Sequence, residues 1–165
     1  MANDGPIIRL CGADDAAGLA EMYRLDRNEI EAAEPSRLPA FFETEGQLER
    51  ITRVWPEHRT LGYVAVEDER ILGLFLLEDV TDVSATVGYY VRSDRRRRGV
   101  ATAGLGALVE VATHQIGIRT LVADIHPNNA GSLRVAANNG FASEGFVTLD
   151  GVEHRRLAFT STRIA

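Results

Sequence analysis

The chain has 165 residues, of which 45% are hydrophobic and 25% charged, and 18 basic against 24 acidic side chains give a formal net charge of −6. That length and apolar content suffice for one sizeable core and predict a single domain over residues 1–165. The acidic balance argues against general nucleic-acid binding, the lone Cys11 excludes an internal disulfide or zinc cluster, and no run of about 18 apolar residues offers a membrane span. Met1 to Gly5 shows no signal-peptide pattern, so the chain reads as soluble and cytoplasmic, with neither nucleic acid nor membrane as a partner.

Pro6 to Leu10 predicts a short first strand, and Asp14 or Asp15 stands where it could cap a helix running through Leu19, Met22 and Tyr23 to about Leu25. From Asp26 to Phe42 the periodicity fades and Pro35 and Pro39 interrupt it, so a loop or short irregular helix over the sheet is expected. Glu43 to Gln47 opens another helix, with Leu48, Ile51 and Trp55 as its buried face and Arg50 and Arg53 in the later turns that suit the helix dipole. Leu61 to Glu67 and Ile71 to Leu77 form a hairpin turning at Asp68-Glu69-Arg70, and the second of these strands, apolar on both faces, should be central.

Ser84 to Val91 is the next strand. A helix from about Gly99 to Ile116 follows, presenting Leu105, Leu108, Val109, Ala112 and Ile116 on one face, and then a strand at Thr120 to Ile125. Strand, crossover helix and strand imply a parallel neighbour. Asn129 can cap a helix through Ala136 that closes at Asn139-Gly140, and Phe146 to Leu149 with Arg155 to Phe159 form a last hairpin around Asp150-Gly151. The sum is an α/β (α+β) chain with one mixed sheet and helices on both faces.

The chemistry concentrates between Val87 and Phe141. A basic, glycine-containing loop, Arg95-Arg96-Arg97-Arg98-Gly99-Val100-Ala101-Thr102, joins strand to helix. Such a junction gathers unpaired backbone N–H groups at the positive end of the helix dipole, which makes an anion site. Gly99 permits close backbone approach, Ala101 keeps it open, the Thr102 hydroxyl adds a donor, and Arg96 and Arg98 can hold phosphate oxygens. Taken alone, the four arginines would read as a solvated surface loop. Neither a Gly-Lys-Ser/Thr ending nor a third glycine in register is present, so a nucleoside triphosphate or a dinucleotide fits poorly.

Arg96-Arg97-Arg98-Gly99-Val100-Ala101 resembles the Gln/Arg-x-x-Gly-x-Gly/Ala signature of the GNAT acetyltransferase superfamily, and Pro127-Asn128-Asn129-Ala130-Gly131-Ser132 followed by Asn139-Gly140-Phe141 resembles the second motif of its RimJ/RimL-like branch. The resemblance implies the GNAT fold: a mixed, mostly antiparallel sheet of about six or seven strands with helices on both faces and a central parallel pair that splays to admit acetyl-CoA. It also implies direct acetyl transfer from acetyl-CoA to a primary amine. The acceptor would be a protein or peptide N-terminus, as in that branch, or a small-molecule amine such as an amino acid, polyamine or antibiotic. A CoA-binding sensor module without catalysis is the alternative of another class. A homodimer is compatible with the branch and does not follow from the residues.

By the same resemblance, the cofactor contacts fall on Tyr90, Val91, Arg96, Arg98, Gly99, Val100, Ala101, Thr102, Asn129 and Ser132. The tyrosine that many relatives place near the leaving sulfur is replaced by Ala136; the RimJ/RimL-like branch instead places a serine there, which by motif alignment is Ser132. Candidate general bases are Glu34 in the acceptor loop and Glu153 in the last hairpin, with ordered water as the alternative. His58, His114, His126 and His154 have no metal-ligand spacing.

Overall fold

The computed structural model describes residues 5–162. Seven strands form one sheet in the order β1-β2-β3-β4-β5-β7-β6. The strands are β1 (Ile7–Leu10), β2 (Leu61–Glu67), β3 (Arg70–Glu78), β4 (Ser84–Val91), β5 (Thr120–Ile125), β6 (Ala142–Leu149) and β7 (Val152–Thr160). All neighbours are antiparallel except β4 and β5. That parallel pair is the expected consequence of the crossover helix between them. Both hairpins turn as the sequence predicts, with left-handed backbone at Asp68 and Glu69 and again at Asp150 and Gly151. Two consecutive residues of positive φ match the twist of the flanking strands.

Helices cover both faces. On one lie α1 (Ala16–Leu25), α2 (Arg27–Ala33), α3 (Thr44–Glu49), its π-helical continuation Arg50–Val54 and the last turn α4 (Trp55–Glu57). Leu19, Met22, Phe42 and Trp55 pack there against Val64 and Leu74 of the sheet. On the other face lie α5 (Val100–Glu110), its π-helical continuation Val111–Ile116 and α6 (Ala130–Asn138). Leu105, Leu108 and Ala136 pack there with Phe75, Leu77 and Val87. Gly104 is required at the closest approach, because a Cβ on it would stand 2.0 Å from the ζ carbon of the fully buried Phe75 ring. No helix among the described residues is long and apolar enough to cross a membrane.

Three local expectations are corrected. Leu48 is 39% exposed and Gln47 takes the inward place. Its amide donates to the Phe41 carbonyl and its oxygen accepts from Arg50 Nη1 at 2.7 Å, so a satisfied polar group fills a position that periodicity gave to leucine. Ile116 is 40% exposed because the helix ends there: Gly117 turns left-handed, the N–H groups of Gly117 and Ile118 both reach the Ala112 carbonyl, and Ile118 is buried instead. Asp15 does not cap α1 with its side chain. Its carboxylate holds Arg9 at 2.8 and 2.9 Å and the Gly12 N–H at 2.8 Å, tying β1 to the helix. The stretch after Asp26, left between a loop and a short helix by the sequence, contains α2 and a 3-10 turn at Pro39–Phe42.

Candidate active site

The loop after β4 carries a short turn and two left-handed residues. Ser93–Arg95 forms a 3-10 turn, Arg97 is left-handed at φ 60°, and Gly99 is left-handed at φ 80° and precedes α5. The left-handed Gly99 followed by the right-handed first turn of α5 turns successive N–H groups toward one concavity. The Arg96 N–H still reaches Ser93 O, and the Ala103 N–H reaches Gly99 O. Among the described residues, the N–H groups of Arg97 through Thr102 have no acceptor within the chain. A Cβ built on Gly99 meets nothing within 4 Å, so the concavity is open above the glycine. Val100 is buried and anchors the first helical turn, while Ala101 and Thr102 are half-buried. The Thr102 carbonyl accepts from Asn139 Nδ2 at 3.2 Å, which ties the end of α6 to the start of α5.

The arginine run divides by partner. Arg92 grips Asp94 through two bonds, and Arg95 pairs with Glu67 at 3.1 Å. Arg96 is braced against the fold: Nε donates to Val91 O at 3.0 Å, Nη1 to Glu29 at 2.7 Å and Nη2 to the Tyr90 hydroxyl at 3.3 Å. Arg98 is exposed beside the free amides.

The parallel pairing of β4 with β5 stops at Thr86↔Val122, while β4 stays paired with β3 as far as Val91. The two strands therefore part from Val87 onward. Because the Arg92 N–H bonds Leu72 O, antiparallel alternation puts the N–H groups of Tyr89 and Val91 on the side from which β5 has departed, and that of Tyr90 on the β3 side. Across the opening, Asn129 caps α6 by accepting the Ser132 N–H at 3.1 Å, and the Ser132 carbonyl accepts the Tyr89 hydroxyl at 2.8 Å. Burial pushes the Tyr89 phenol up to about 12, against the opposing effect of that hydrogen bond, so it is a poor proton source at neutral pH.

Tyr90 points to the opposite face. It donates to Asp26 at 2.5 Å and its ring meets Tyr23 at 5.4 Å. Burial and then the Asp26 carboxylate raise its pKa. Asp26 is a site residue that the sequence did not single out. It also accepts the N–H of Ser93 at 2.8 Å and the Ser93 hydroxyl, and lies 3.9 Å from Arg96 Nη2. Burial would raise the Asp26 pKa, yet the bonds from Ser93 and Tyr90 and the Arg96 charge outweigh it and hold the carboxyl below its usual range. One buried carboxylate thus joins the start of α2, the end of β4 and the basic loop.

A cleft of about 480 Å³ opens on this face and reaches Tyr89 and Asn129. Glu29 and Ile30 of α2 and Glu34 just after it form a wall, with Phe41 and Arg50 across from Leu74, Leu76 and Gly88 on the sheet. Its charges are balanced locally. Glu29 pairs with Arg96 and Glu34 with Arg37, while the guanidinium groups of Arg37 and Arg50 lie 4.3 and 4.8 Å from the centre of the Phe41 ring. Of the two sequence-predicted bases, Glu34 is on the wall. Glu153 lies opposite Thr148 in the β6–β7 hairpin, outside the cleft lining.

A model of the acetyltransferase (GNAT) domain matches residues 7–142. The chain is 29% identical over 136 residues to a probable N-acetyltransferase, YjcK, of Bacillus subtilis (strain 168), covering 74% of this chain and 75% of that protein. The fold is similar to the ribosomal-protein-S5-alanine acetyltransferase of Vibrio fischeri, with a TM-score of 0.84 at 22% identity over 94% of this chain and 92% of the other. It is also similar to the aminoglycoside acetyltransferase AAC(6')-Ib in complex with coenzyme A, with a TM-score of 0.76 at 20% identity over 93% of each chain.

Proposed function

The chain belongs to the acetyltransferase (GNAT) domain family and is an N-acetyltransferase of that type, and from that premise we propose that it transfers acetyl from acetyl-CoA to the N-terminal α-amine of a protein or peptide. The observation that carries the acceptor assignment is the charge balance of the cleft. Both wall acids, Glu29 and Glu34, are neutralised by arginines, and Arg50 adds a cation with no acid within ion-pair distance among the described residues. A polycation such as an aminoglycoside needs an acidic surface, whereas one amine on a neutral chain does not. An α-amine, with an ordinary pKa of about 8, also needs less help to lose its proton than a lysine near 10.4.

The residues fit the cofactor. The free amides of Arg97 through Thr102, with Gly99 open above them and Arg98 beside them, suit the pyrophosphate. Arg96, held by Val91, Tyr90 and Glu29, shapes the loop from behind. Acetyl-CoA supplies an activated thioester. The N–H groups of Tyr89 and Val91 face the gap between β4 and β5, where a carbonyl oxygen gaining charge would be stabilised. Asn129 fixes the first turn of α6, and Ser132 in that turn is the donor assigned to the leaving sulfur. A thiolate leaving group with a pKa near that of cysteine, about 8.5, asks little of such a donor.

The test is thiol release from acetyl-CoA with short peptides of varied N-termini, their N-blocked counterparts, free amino acids, polyamines and aminoglycosides. The expected result is turnover with free N-terminal peptides alone, abolished by Gly99→Glu, which puts a side chain and a negative charge into the concavity. Turnover of aminoglycosides or polyamines without turnover of any peptide would overturn the acceptor assignment.

A further inference from the structure

We infer that Glu78 receives the acceptor amine: its carboxylate, leaning over Gly88 at the edge of the cleft, holds the incoming ammonium group and takes its proton. The placement follows from strand register. Leu74↔Tyr90, Leu76↔Gly88 and Glu78↔Thr86 are successive cross-strand pairs on one face of β3 and β4. Leu74, Leu76, Gly88 and Tyr90 line the cleft, and Glu78 is next in the row. Rather than extending outward from its own pair, the side chain leans diagonally, so that Oε2 stands 3.1 Å from the position a Cβ on Gly88 would occupy. Gly88 lies just past Thr86↔Val122, where β4 and β5 part. The missing side chain at Gly88 therefore leaves a carboxylate next to the gap between the strands.

Its bonding state is equally distinctive. Among the described residues, Glu29 and Glu34 of the cleft wall are ion-paired, whereas Glu78 has neither a hydrogen-bond donor nor a cation at ion-pair distance. Burial chiefly, and then the negative charge of Asp79 at the end of the same strand, push its pKa up, while Arg50 from across the cleft opposes them. A half-buried carboxylate without a partner is destabilised until a cation arrives, and an ammonium group supplies one. The raised pKa also makes it a better proton acceptor than an ordinary glutamate.

The step balances. Proton transfer from R-NH3+ to Glu78 leaves R-NH2, whose lone pair forms the new C–N bond to the acetyl carbon as the C–S bond breaks. Ser132 gives its proton to the departing thiolate to form free CoA thiol and regains one from the second amine proton, and Glu78 returns its proton to solvent. This inference rests on the reading of the cleft as the acceptor site, but not on the acceptor being a peptide.

The experiment compares wild type with Glu78→Gln and Glu78→Asp, using whichever amine of the panel wild type turns over. It measures kcat/KM from about pH 6 to about pH 9, with thermal midpoint and acetyl-CoA Kd as controls. Glu78→Gln is expected to lose about 100-fold or more in kcat/KM near pH 7 at unchanged acetyl-CoA Kd. The deficit should narrow as pH rises through the amine's own pKa, where solvent does the deprotonation. Glu78→Asp should recover about tenfold of the loss, and should the Gln variant not fold, the Asp pH profile carries the same test. A Gln variant within about threefold of wild type, a deficit identical at every pH, or equal defects in Gln and Asp would overturn the assignment. Failure of the peptide assignment would instead show in wild type, as turnover of another amine class.

Discussion

Replacing Asp26 with Asn removes one charge from a carboxylate whose side chain is 2% exposed and whose two oxygens face only donors. Asn keeps one acceptor oxygen and turns the other into an NH2 group aimed at the Tyr90 hydroxyl or at Ser93. Each charge-assisted bond lost is worth about 1.5–3 kcal/mol, and a buried donor left without an acceptor costs about 1–3 kcal/mol. Since Asn preserves part of the network, the sum is about 3–5 kcal/mol, in the range for breaking a buried ionic contact. For a chain of this length, 1 kcal/mol corresponds to about 2–4 °C, so Tm should fall by roughly 10 °C. The sign of the pH dependence is fixed by the depressed pKa of Asp26 in the folded protein. Its contribution is complete above the unfolded carboxylate value of about 3.9 and is lost as pH falls through the lower folded value. Urea unfolding of wild type and Asp26→Asn should therefore differ fully at pH 7 and converge below about pH 4. A variant within about 1 kcal/mol of wild type at pH 7, or a difference that stays constant into acid, would refute the reasoning. Adding Tyr90→Phe should be less than additive, because both substitutions break the same contact.

Two further outcomes follow from packing and burial. Gly104→Ala should destabilise the fold by about 1–3 kcal/mol although Ala improves helix propensity by about 1 kcal/mol, because the new methyl collides with the Phe75 ring. Phe75→Leu in that background should restore part of the loss, and a Gly104→Ala protein as stable as wild type would show that the ring can move. The Cys11 thiol is pushed up to about 12, first by burial and then by the Asp15 carboxylate. It should react with a disulfide reagent at pH 8 far more slowly in the native than in the urea-unfolded protein, and faster in Asp15→Asn. Equal native and unfolded rates would disprove the burial argument.

The glycine turn before α5 and the cap of α6 were legible because their determinants are local. Gly99 takes a positive φ that other residues adopt at a cost, and Asn129 reaches an N–H only three residues away. Strand and helix order followed from periodicity in the same way, and the parting of β4 and β5 followed from the resemblance carried by those local motifs. Periodicity failed where a position was decided by its surroundings. Gln47 could be buried because the Phe41 carbonyl and Arg50 satisfy it, and Ile118 replaced Ile116 once Gly117 ended the helix. Arg96 matches the signature in sequence, yet its guanidinium is committed to Val91, Tyr90 and Glu29, a distribution no motif encodes.

The residues that join the two halves of the site were not legible at all. Asp26 meets Ser93 across 67 positions, and Glu78 beside Asp79 reads as an ordinary acidic strand end. The chain by itself determined the elements, their order and the left-handed glycine junction before α5, because backbone propensity, side-chain period and capping act over a few residues. Only the tertiary structure decided which acid is neutralised, which is left without a partner beside the cleft, and which buried carboxylate locks the cleft wall to the loop. Those outcomes depend on distances and desolvation between elements far apart in sequence, and the sum of such interactions exists only once the sheet has brought the elements together.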